Sequence, residues 1–300
     1  MPELEKLFDE WAAKHEKLIS QKKPYSIDHE PPFGKFVRDG VVNMDEWKKQ
    51  KLRVCFILPE ASGFNDSEKF SEGADVAELW NEKGSFTATT LMLATWARAV
   101  QDSVIAPVPY PKKSIYKHKN ELIRSTAVVN LKKSDGQLQP NYDLLKNFIR
   151  EDAAEIRQEL EIIRTNIILC SVDFKSLVGS RPAEETEETK RQFVFYDDEV
   201  EKIGSRTYKW GKNKLIFDLW SPAQHYKPSS SKLLNYYTVR ELCRAGIKSF
   251  QETAKKATAK SAENTAAQPA ETKTAKADKV AKTTKTTKTA KTKKVDKVAE

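Results

Sequence analysis

The chain has 300 residues, with 52 basic and 43 acidic side chains and a formal net charge of +9. This length is sufficient for one or two domains with a sizeable core. No stretch approaches the 18 consecutive apolar residues of a membrane span, and the N-terminus lacks the basic-then-apolar order of a signal peptide, so we expect a cytoplasmic protein with no membrane partner.

The positive charge is concentrated at one end of the chain. Residues 251–300 contain 13 lysines against 6 acidic residues, a net charge of +7, whereas the first 250 residues carry only +2. This segment is rich in Ala, Thr and Lys, has no aromatic residue, and has as its only large apolar residues Val280, Val295 and Val298. Such a segment cannot bury enough surface to offset the entropy cost of ordering, so we expect a disordered basic tail.

The remaining elements divide the chain into an N-terminal segment and one globular domain. Residues 3–20 have the periodicity of an amphipathic helix, and residues 21–43, rich in Pro, Gly and charge, are typical of a wrapping loop. The predicted division is therefore 1–46 for the N-terminal helix and loop, 47–250 for the globular domain, and 251–300 for the tail.

Four short apolar runs in the globular domain end in small or polar residues, as buried strands do. They cover residues 53–58, 127–129, 167–170 and 215–220. Helical periodicity between or after them, at 87–100, 144–163 and 233–250, favours parallel strands. Residues 193–196 and 208–210 are expected to be antiparallel additions. The predicted fold is a three-layer α/β/α structure around a mostly parallel four-stranded sheet.

A polar residue follows each of the four predicted strands. In open α/β sheets, ligands bind outside the carboxyl ends of the strands. We therefore expect one site, at one edge of the sheet, formed by Glu60, Asn130, Ser171 and His225. Cys55, Cys170 and Cys243 are too widely spaced for a metal site and are expected to be reduced core thiols, so no metal or cofactor is predicted.

Taken in order, these motifs resemble the uracil-DNA glycosylase superfamily. The residues that carry the resemblance are Pro-Glu-Ala-Ser-Gly at 59–63, Val-Asn-Leu-Lys-Lys at 129–133, Asn-Ile-Ile-Leu-Cys-Ser at 166–171 and Ser-Pro-Ala-Gln-His at 221–225. The resemblance covers residues 50–247. It departs from the superfamily at Ala61, where one branch has its acidic water-activating residue, and at the late motif, where the proline precedes His225.

The resemblance implies that a DNA base is flipped out of the stack into a pocket before its N-glycosidic bond is cleaved. Glu60, helped by Asn65 and Asp66, would activate or position the water, and His225 would stabilise the leaving base. The base would contact Phe86, Asn130, Gly63 and Ser171, and the DNA backbone would contact Ser221, Ser229 and Lys132. The alternatives are that Phe86 only packs, that Asn130 forms a turn, and that Glu60 pins its loop.

Three functions follow from this pattern. The first is a glycosylase-like hydrolase acting on uracil or a related damaged base. The second is a catalytically inactive nucleic-acid-binding protein of the same fold, which the missing carboxylate at Ala61 favours. The third is an unrelated α/β protein that binds a nucleotide or metabolite, which the absence of Gly-x-Gly-x-x-Gly and phosphate-loop motifs disfavours.

The expected partner is DNA, or RNA, bound by a monomer that is associated with the nucleoid, or nuclear in a eukaryote. The tail is similar to the Lys/Ala/Thr-rich tails of linker-histone-type proteins. Its lysines, separated by small residues, can neutralise phosphates and release counterions without reading base sequence. The alternative is that the tail only keeps the protein in solution.

Overall fold

The described residues form eight α-helices and nine strands. This computed structural model describes residues 1–20, 36–61, 75–135, 141–183, 192–219 and 230–266. The helices are α1 (Pro2–Ser20), α2 (Met44–Lys49), α3 (Val76–Lys83), α4 (Ala88–Ser103), α5 (Lys112–Lys117), α6 (Lys119–Arg124), α7 (Tyr142–Ile163) and α8 (Ser230–Ala266). The strands are β1 (Gly40–Val41), β2 (Val54–Ala61), β3 (Ala127–Asp135), β4 (Ile167–Cys170), β5 (Val178–Gly179), β6 (Phe195–Tyr196), β7 (Val200–Gly204), β8 (Thr207–Trp210) and β9 (Lys214–Asp218).

The main sheet of the described residues has seven strands in the order β1-β3-β2-β4-β9-β8-β7. Strands β3, β2, β4 and β9 are parallel neighbours and correspond to the four predicted runs. The predicted α/β fold with a mostly parallel central sheet is therefore confirmed. The strand count of four is wrong, because the antiparallel strands β1, β8 and β7 extend the sheet at its two edges.

Of the two segments expected to add antiparallel strands, one does so and the other does not. Residues 208–210 lie in β8, which is antiparallel to β9 as predicted. The prediction for 193–196 is wrong, because β6 pairs in parallel with β5 in a separate two-stranded sheet. A 3₁₀ helix after β4, Phe174–Leu177, leads directly into β5, and Phe174 packs against Phe195 with ring centroids 5.6 Å apart.

Helices cover both faces of the sheet because successive strand residues point to opposite sides. On one face, strand residues such as Phe56 and Phe217 pack with α4 and α8. On the other, strand residues such as Ile57 and Ile216 pack with α1 and α7. Each large apolar side chain buried in this way contributes about 1.5–3 kcal/mol relative to exposure.

The N-terminal helix is part of this core. Its predicted apolar face, including Leu4, Leu7, Phe8 and Trp11, is buried. Residues 36–46, expected to be part of a wrapping loop, instead contain β1 and the start of α2. Asn43 begins α2, since its side chain accepts hydrogen bonds from the backbone of Asp45 and Glu46. With two residues, β1 is too short to show a periodic pattern in the sequence.

The last described helix is longer than its sequence pattern predicts. We expected helix α8 to end near residue 250, but it continues to Ala266. The chain groups into two compact units, Met1–Lys256 and Ala257–Glu300. The first unit therefore includes α1 together with the whole sheet. Among the described residues, no helix has the length and hydropathy needed to cross a membrane.

Candidate functional site

The order of the parallel strands defines where a ligand would bind. Strand β2 is followed in the chain by β3, which lies on the side of β2 away from β4. The next parallel strand after β4 is β9, which is reached through β5–β8 and lies on the side of β4 away from β2. Adjacent strands whose connections diverge leave a crevice at their carboxyl ends, and this is the usual ligand position in open α/β sheets. Glu60 and Ala61 end β2, and Ser171 directly follows β4. Two predicted site residues, Glu60 and Ser171, thus lie at the carboxyl ends of the two strands between which a ligand is expected to bind.

Glu60 forms an ion pair with another predicted site residue, Lys132. The two are register partners on β2 and β3, and Glu60 Oε2 lies 3.2 Å from Lys132 Nζ. Their side chains are only 5% and 8% exposed. The Lys132 ammonium also lies 5.5 Å from the centroid of the Phe148 ring. Glu60, expected to activate water, and Lys132, expected to bind the DNA backbone, therefore contact each other.

Asn130 is buried and directed at the edge of the sheet. Its backbone N and its side-chain Nδ2 both donate hydrogen bonds to Asp39 Oδ2, over 2.7 and 2.9 Å. The other amide atom, Asn130 Oδ1, is buried and has no hydrogen-bonding partner in the described part of the chain. Asn130 was expected to read the edge of a base. In this structure its donor atoms hold the segment before β1 against β3.

Asp39 belongs to a fully buried charged cluster that the sequence analysis missed. Its second oxygen, Oδ1, accepts a hydrogen bond from Lys133 Nζ, which also approaches Glu159 Oε2 on α7 to 2.7 Å. The ammonium lies 5.5 Å from the ring of Phe8 and 5.2 Å from that of Trp11. Elements β1, β3, α7 and α1 therefore meet around one lysine.

This cluster has two carboxyl groups and one cation. Burial raises the pKa of Glu159 well above its ordinary value, the charge of Asp39 raises it further, and Lys133 opposes the shift. Burial acts to lower the pKa of Lys133, but the charges of Asp39 and Glu159 outweigh it and raise that pKa. Burial and the charge of Asp39 thus favour the protonated form of Glu159, whereas Lys133 favours its ionised form.

A second buried charge pair joins α1 to α7. His15 Nε2 lies 3.0 Å from Asp152 Oδ2, and Lys14 Nζ lies 3.0 Å from Asp152 Oδ1. Burial acts to raise the pKa of Asp152, but the hydrogen bonds and charges of His15 and Lys14 outweigh it and lower that pKa. Lys14 also contacts Glu155 at 2.9 Å.

A sequence signal for these acids does exist. Residues 145, 149, 152, 156, 159 and 163 of α7 recur at alternating spacings of four and three and are all buried. Four of these positions are apolar, but Asp152 and Glu159 are acidic. In β3, likewise, the alternate residues Val129, Leu131 and Lys133 share one face of the strand, so Lys133 occupies a core position. A charge at a core position of an amphipathic pattern indicates a buried partner.

Ser171 and Phe86 lie in different surroundings. The hydroxyl of Ser171 donates to Ile57 O at 2.8 Å, which fixes the end of β4 to β2. Phe86 lies in the turn before α4, is 41% exposed, and has Lys83 Nζ at 5.7 Å from its ring centroid. An exposed ring can stack on a base, so the role expected for Phe86 stays a prediction.

Six predicted site residues lie outside the described residues. They are Gly63, Asn65 and Asp66 after β2, and Ser221, His225 and Ser229 after β9. Of the predicted site, the structure describes Glu60, Phe86, Asn130, Ser171 and Lys132. Within the described ranges, no group of three or more His, Cys, Asp or Glu side chains is arranged to hold a metal ion.

The three cysteines are buried and free, as core thiols are. Burial raises the pKa of all three thiols, that of Cys170 to about 12. Thiols with a raised pKa are poor nucleophiles because little thiolate is present at neutral pH. A cysteine nucleophile is therefore not a candidate for this site.

Comparison with known proteins finds no match for this chain. No protein-family model, no curated protein and no solved structure matches it. Its function has to be inferred from its own residues.

Proposed function

We propose that this protein binds nucleic acid at the crevice between β2 and β4 and does not cleave the N-glycosidic bond. The observation that carries the proposal is that all three described polar residues assigned to catalysis or base contact have internal partners, Ser171 being bonded to Ile57 O. Glu60 is paired with Lys132, and the amide donors of Asn130 are bonded to Asp39. A base-removing enzyme needs these groups to face water and base.

The sequence departures support the same proposal. Ala61 lies at the end of β2 and is 6% exposed. In one branch of the superfamily that the sequence resembles, the water-activating acid occupies this position. Neither the Ala61 methyl group nor the Glu60 carboxylate beside it supplies a free base. We therefore infer that the fold retains a place for an extruded base, while the end of β2 no longer supplies water activation.

Nucleic acid is the proposed partner because of where the charge lies. Residues 267–300 hold 10 lysines against 4 acidic residues, whereas the first 250 residues are nearly neutral. Phosphate contacts by such lysines supply affinity that does not depend on base sequence. Because the tail lysines are linked to a second, weaker site, nucleic acid held by the tail has a higher effective concentration at that site.

A DNA glycosylase-like hydrolase is the second candidate, favoured by a different observation. The four strands that carry the motifs are contiguous and parallel, so their carboxyl ends share one edge. Glu60 and Ser171 accordingly lie at the carboxyl ends of adjacent strands, β2 and β4. Breaking the Glu60–Lys132 pair on substrate binding would be required before Glu60 could act.

Binding is tested with the full chain and labelled single-stranded and duplex oligonucleotides, followed by fluorescence anisotropy across salt concentrations. We expect the logarithm of the association constant to fall linearly with the logarithm of the salt concentration. An absence of binding at low salt, or binding that does not depend on salt, would contradict the proposed partner.

A further inference from the structure

One surface of the described chain has the composition of a nucleic-acid contact and lies outside the crevice. It is the solvent face of α5, formed by Lys112, Lys113, Tyr116 and Lys117, referred to below as the α5 basic face. The three lysines are exposed and Tyr116 is 41% exposed. Positions four apart on a helix are neighbours, so these residues form one patch. Ile115 points the other way and is completely buried.

The charge of this face is not neutralised locally. The sequence has no Asp or Glu from Ser103 to Asn120, a stretch that contains four lysines. The first acid beyond it, Glu121, lies 3.8 Å from the ring of His118. None of the three lysines of the face has an ion-pairing partner among the described residues. The positive potential is therefore directed outward.

The backbone around this face is held in place before any ligand binds. Tyr110 N donates to the hydroxyl of Tyr237 on α8 at 2.9 Å, just before α5 begins. Arg98 on α4 donates from Nη1 to Ser114 Oγ at 3.3 Å. Ile115 anchors the helix in the core. A ligand would therefore not have to order the backbone that carries the lysines, which lowers the entropy cost of binding.

We propose that the α5 basic face binds the phosphates of a single-stranded nucleic acid and that Tyr116 stacks on one of its bases. This inference rests on the proposed function, since it assigns a second contact to the same partner. Lysines beside an exposed aromatic ring are the combination used for single strands, where unstacked bases present their faces. A duplex offers phosphates but no free base face, so Tyr116 would contribute less to binding it.

The test compares two triple variants of the full chain that lose the same charge. The first is Lys112→Gln/Lys113→Gln/Lys117→Gln. The control is Lys48→Gln/Lys202→Gln/Lys212→Gln, three lysines that are exposed elsewhere on the described surface. Binding of labelled oligothymidylate is measured by anisotropy from roughly 50 to 200 mM salt. Circular dichroism checks that both variants retain the parent helix content.

We expect the α5 variant to reduce the steepness of the salt dependence by about 2, since each lost phosphate contact on a single strand contributes about 0.7. The control should leave the steepness unchanged. Tyr116→Ala should weaken binding of the single strand roughly tenfold, and binding of a duplex less, with no change in salt dependence.

Three results would overturn the inference. If the parent binds and both triple variants respond equally, the contacts lie elsewhere. If polyglutamate displaces the oligonucleotide from the parent as well as unlabelled oligothymidylate does, the face binds acidic peptide instead. If the parent binds no nucleic acid at all, the proposed function itself fails, and this inference fails with it.

Discussion

The ammonium of Lys133 lies 2.7 Å from Oε2 of Glu159, and solvent reaches neither side chain. Neither carboxyl oxygen of Glu159 makes a hydrogen bond of good geometry to a described residue. Because Asp39 already pairs with the same ammonium, two buried carboxyl groups compete for one cation. We therefore expect the stability of the fold to depend on pH.

Glu159→Gln should make the protein less sensitive to alkaline pH. The raised pKa of Glu159 means that the folded state holds a proton that the unfolded chain releases above the ordinary value of 4.5. The stability contributed by the protonated group is therefore complete below that pH and falls as the pH rises toward the raised pKa. Gln resembles the protonated acid, so the free energy of unfolding should change by only about 1 kcal/mol at pH 5.

Urea unfolding at a series of pH values measures this effect. The parent should lose stability from pH 5 to pH 9 more steeply than the Gln variant. The control is Glu151→Gln, on the exposed side of the same helix, which should follow the parent. A Gln variant that is equally sensitive to alkaline pH would show that Glu159 is charged in the folded protein.

Lys133→Met should strongly destabilise the fold. The substitution leaves Asp39 and Glu159 buried without a cation, and removing one partner of a buried pair costs about 3–5 kcal/mol. Lys146→Met is the control, because Lys146 is 57% exposed and its ion-pairing partner among the described residues is the exposed Asp143. Its cost should be about 1 kcal/mol or less. Equal losses in chemical denaturation would mean that the cluster contributes no more than a surface pair.

Periodicity predicted the parallel core and α7 because a two-residue or roughly 3.6-residue repeat is visible in a single chain. It did not predict the Asp39 cluster, since Asp39 comes from a stretch without periodicity, 94 residues from Lys133. Tertiary contact alone brings Asp39 beside Asn130. Asn130 was expected to follow a strand and read a base, but β3 continues to Asp135, so Asn130 lies inside the strand and has a structural partner in the fold.

Asn130→Ala should reduce stability and leave nucleic-acid affinity unchanged. Asp39 Oδ2 would lose its side-chain donor while remaining buried, which costs about 1–3 kcal/mol. Thermal or urea unfolding and oligonucleotide anisotropy measure the two quantities on one sample. If affinity falls while the free energy of unfolding is unchanged, Asn130 reads a base and its bond to Asp39 opens in the complex.

Asp152→Asn should make the free energy of unfolding less dependent on pH below about pH 5. The lowered pKa of Asp152 contributes stability that is present above its ordinary value of 3.8 and is lost as the pH falls through the lowered value. At pH 7 the variant should be less stable, because His15 and Lys14 lose a charged partner. Its stability should then change less than that of the parent as the pH is lowered from about 5 toward 2.

Asp143→Asn is the control for this change, as the Asp143 side chain is 89% exposed. It should retain the acid dependence of the parent. A parallel decline of parent and Asp152→Asn between pH 5 and pH 2 would show that the α1–α7 charge pair does not govern acid unfolding.

The central claim, binding without base removal, is tested most directly by incubating the full chain with oligonucleotides that carry a single uracil, hypoxanthine or xanthine. Alkali-labile abasic sites are counted alongside anisotropy on the same samples, with Glu60→Gln and His225→Ala as comparisons. We predict salt-dependent binding by all three proteins and no abasic sites above the protein-free background. Abasic sites formed by the parent and lost in both variants would contradict this prediction and establish glycosylase chemistry at the crevice.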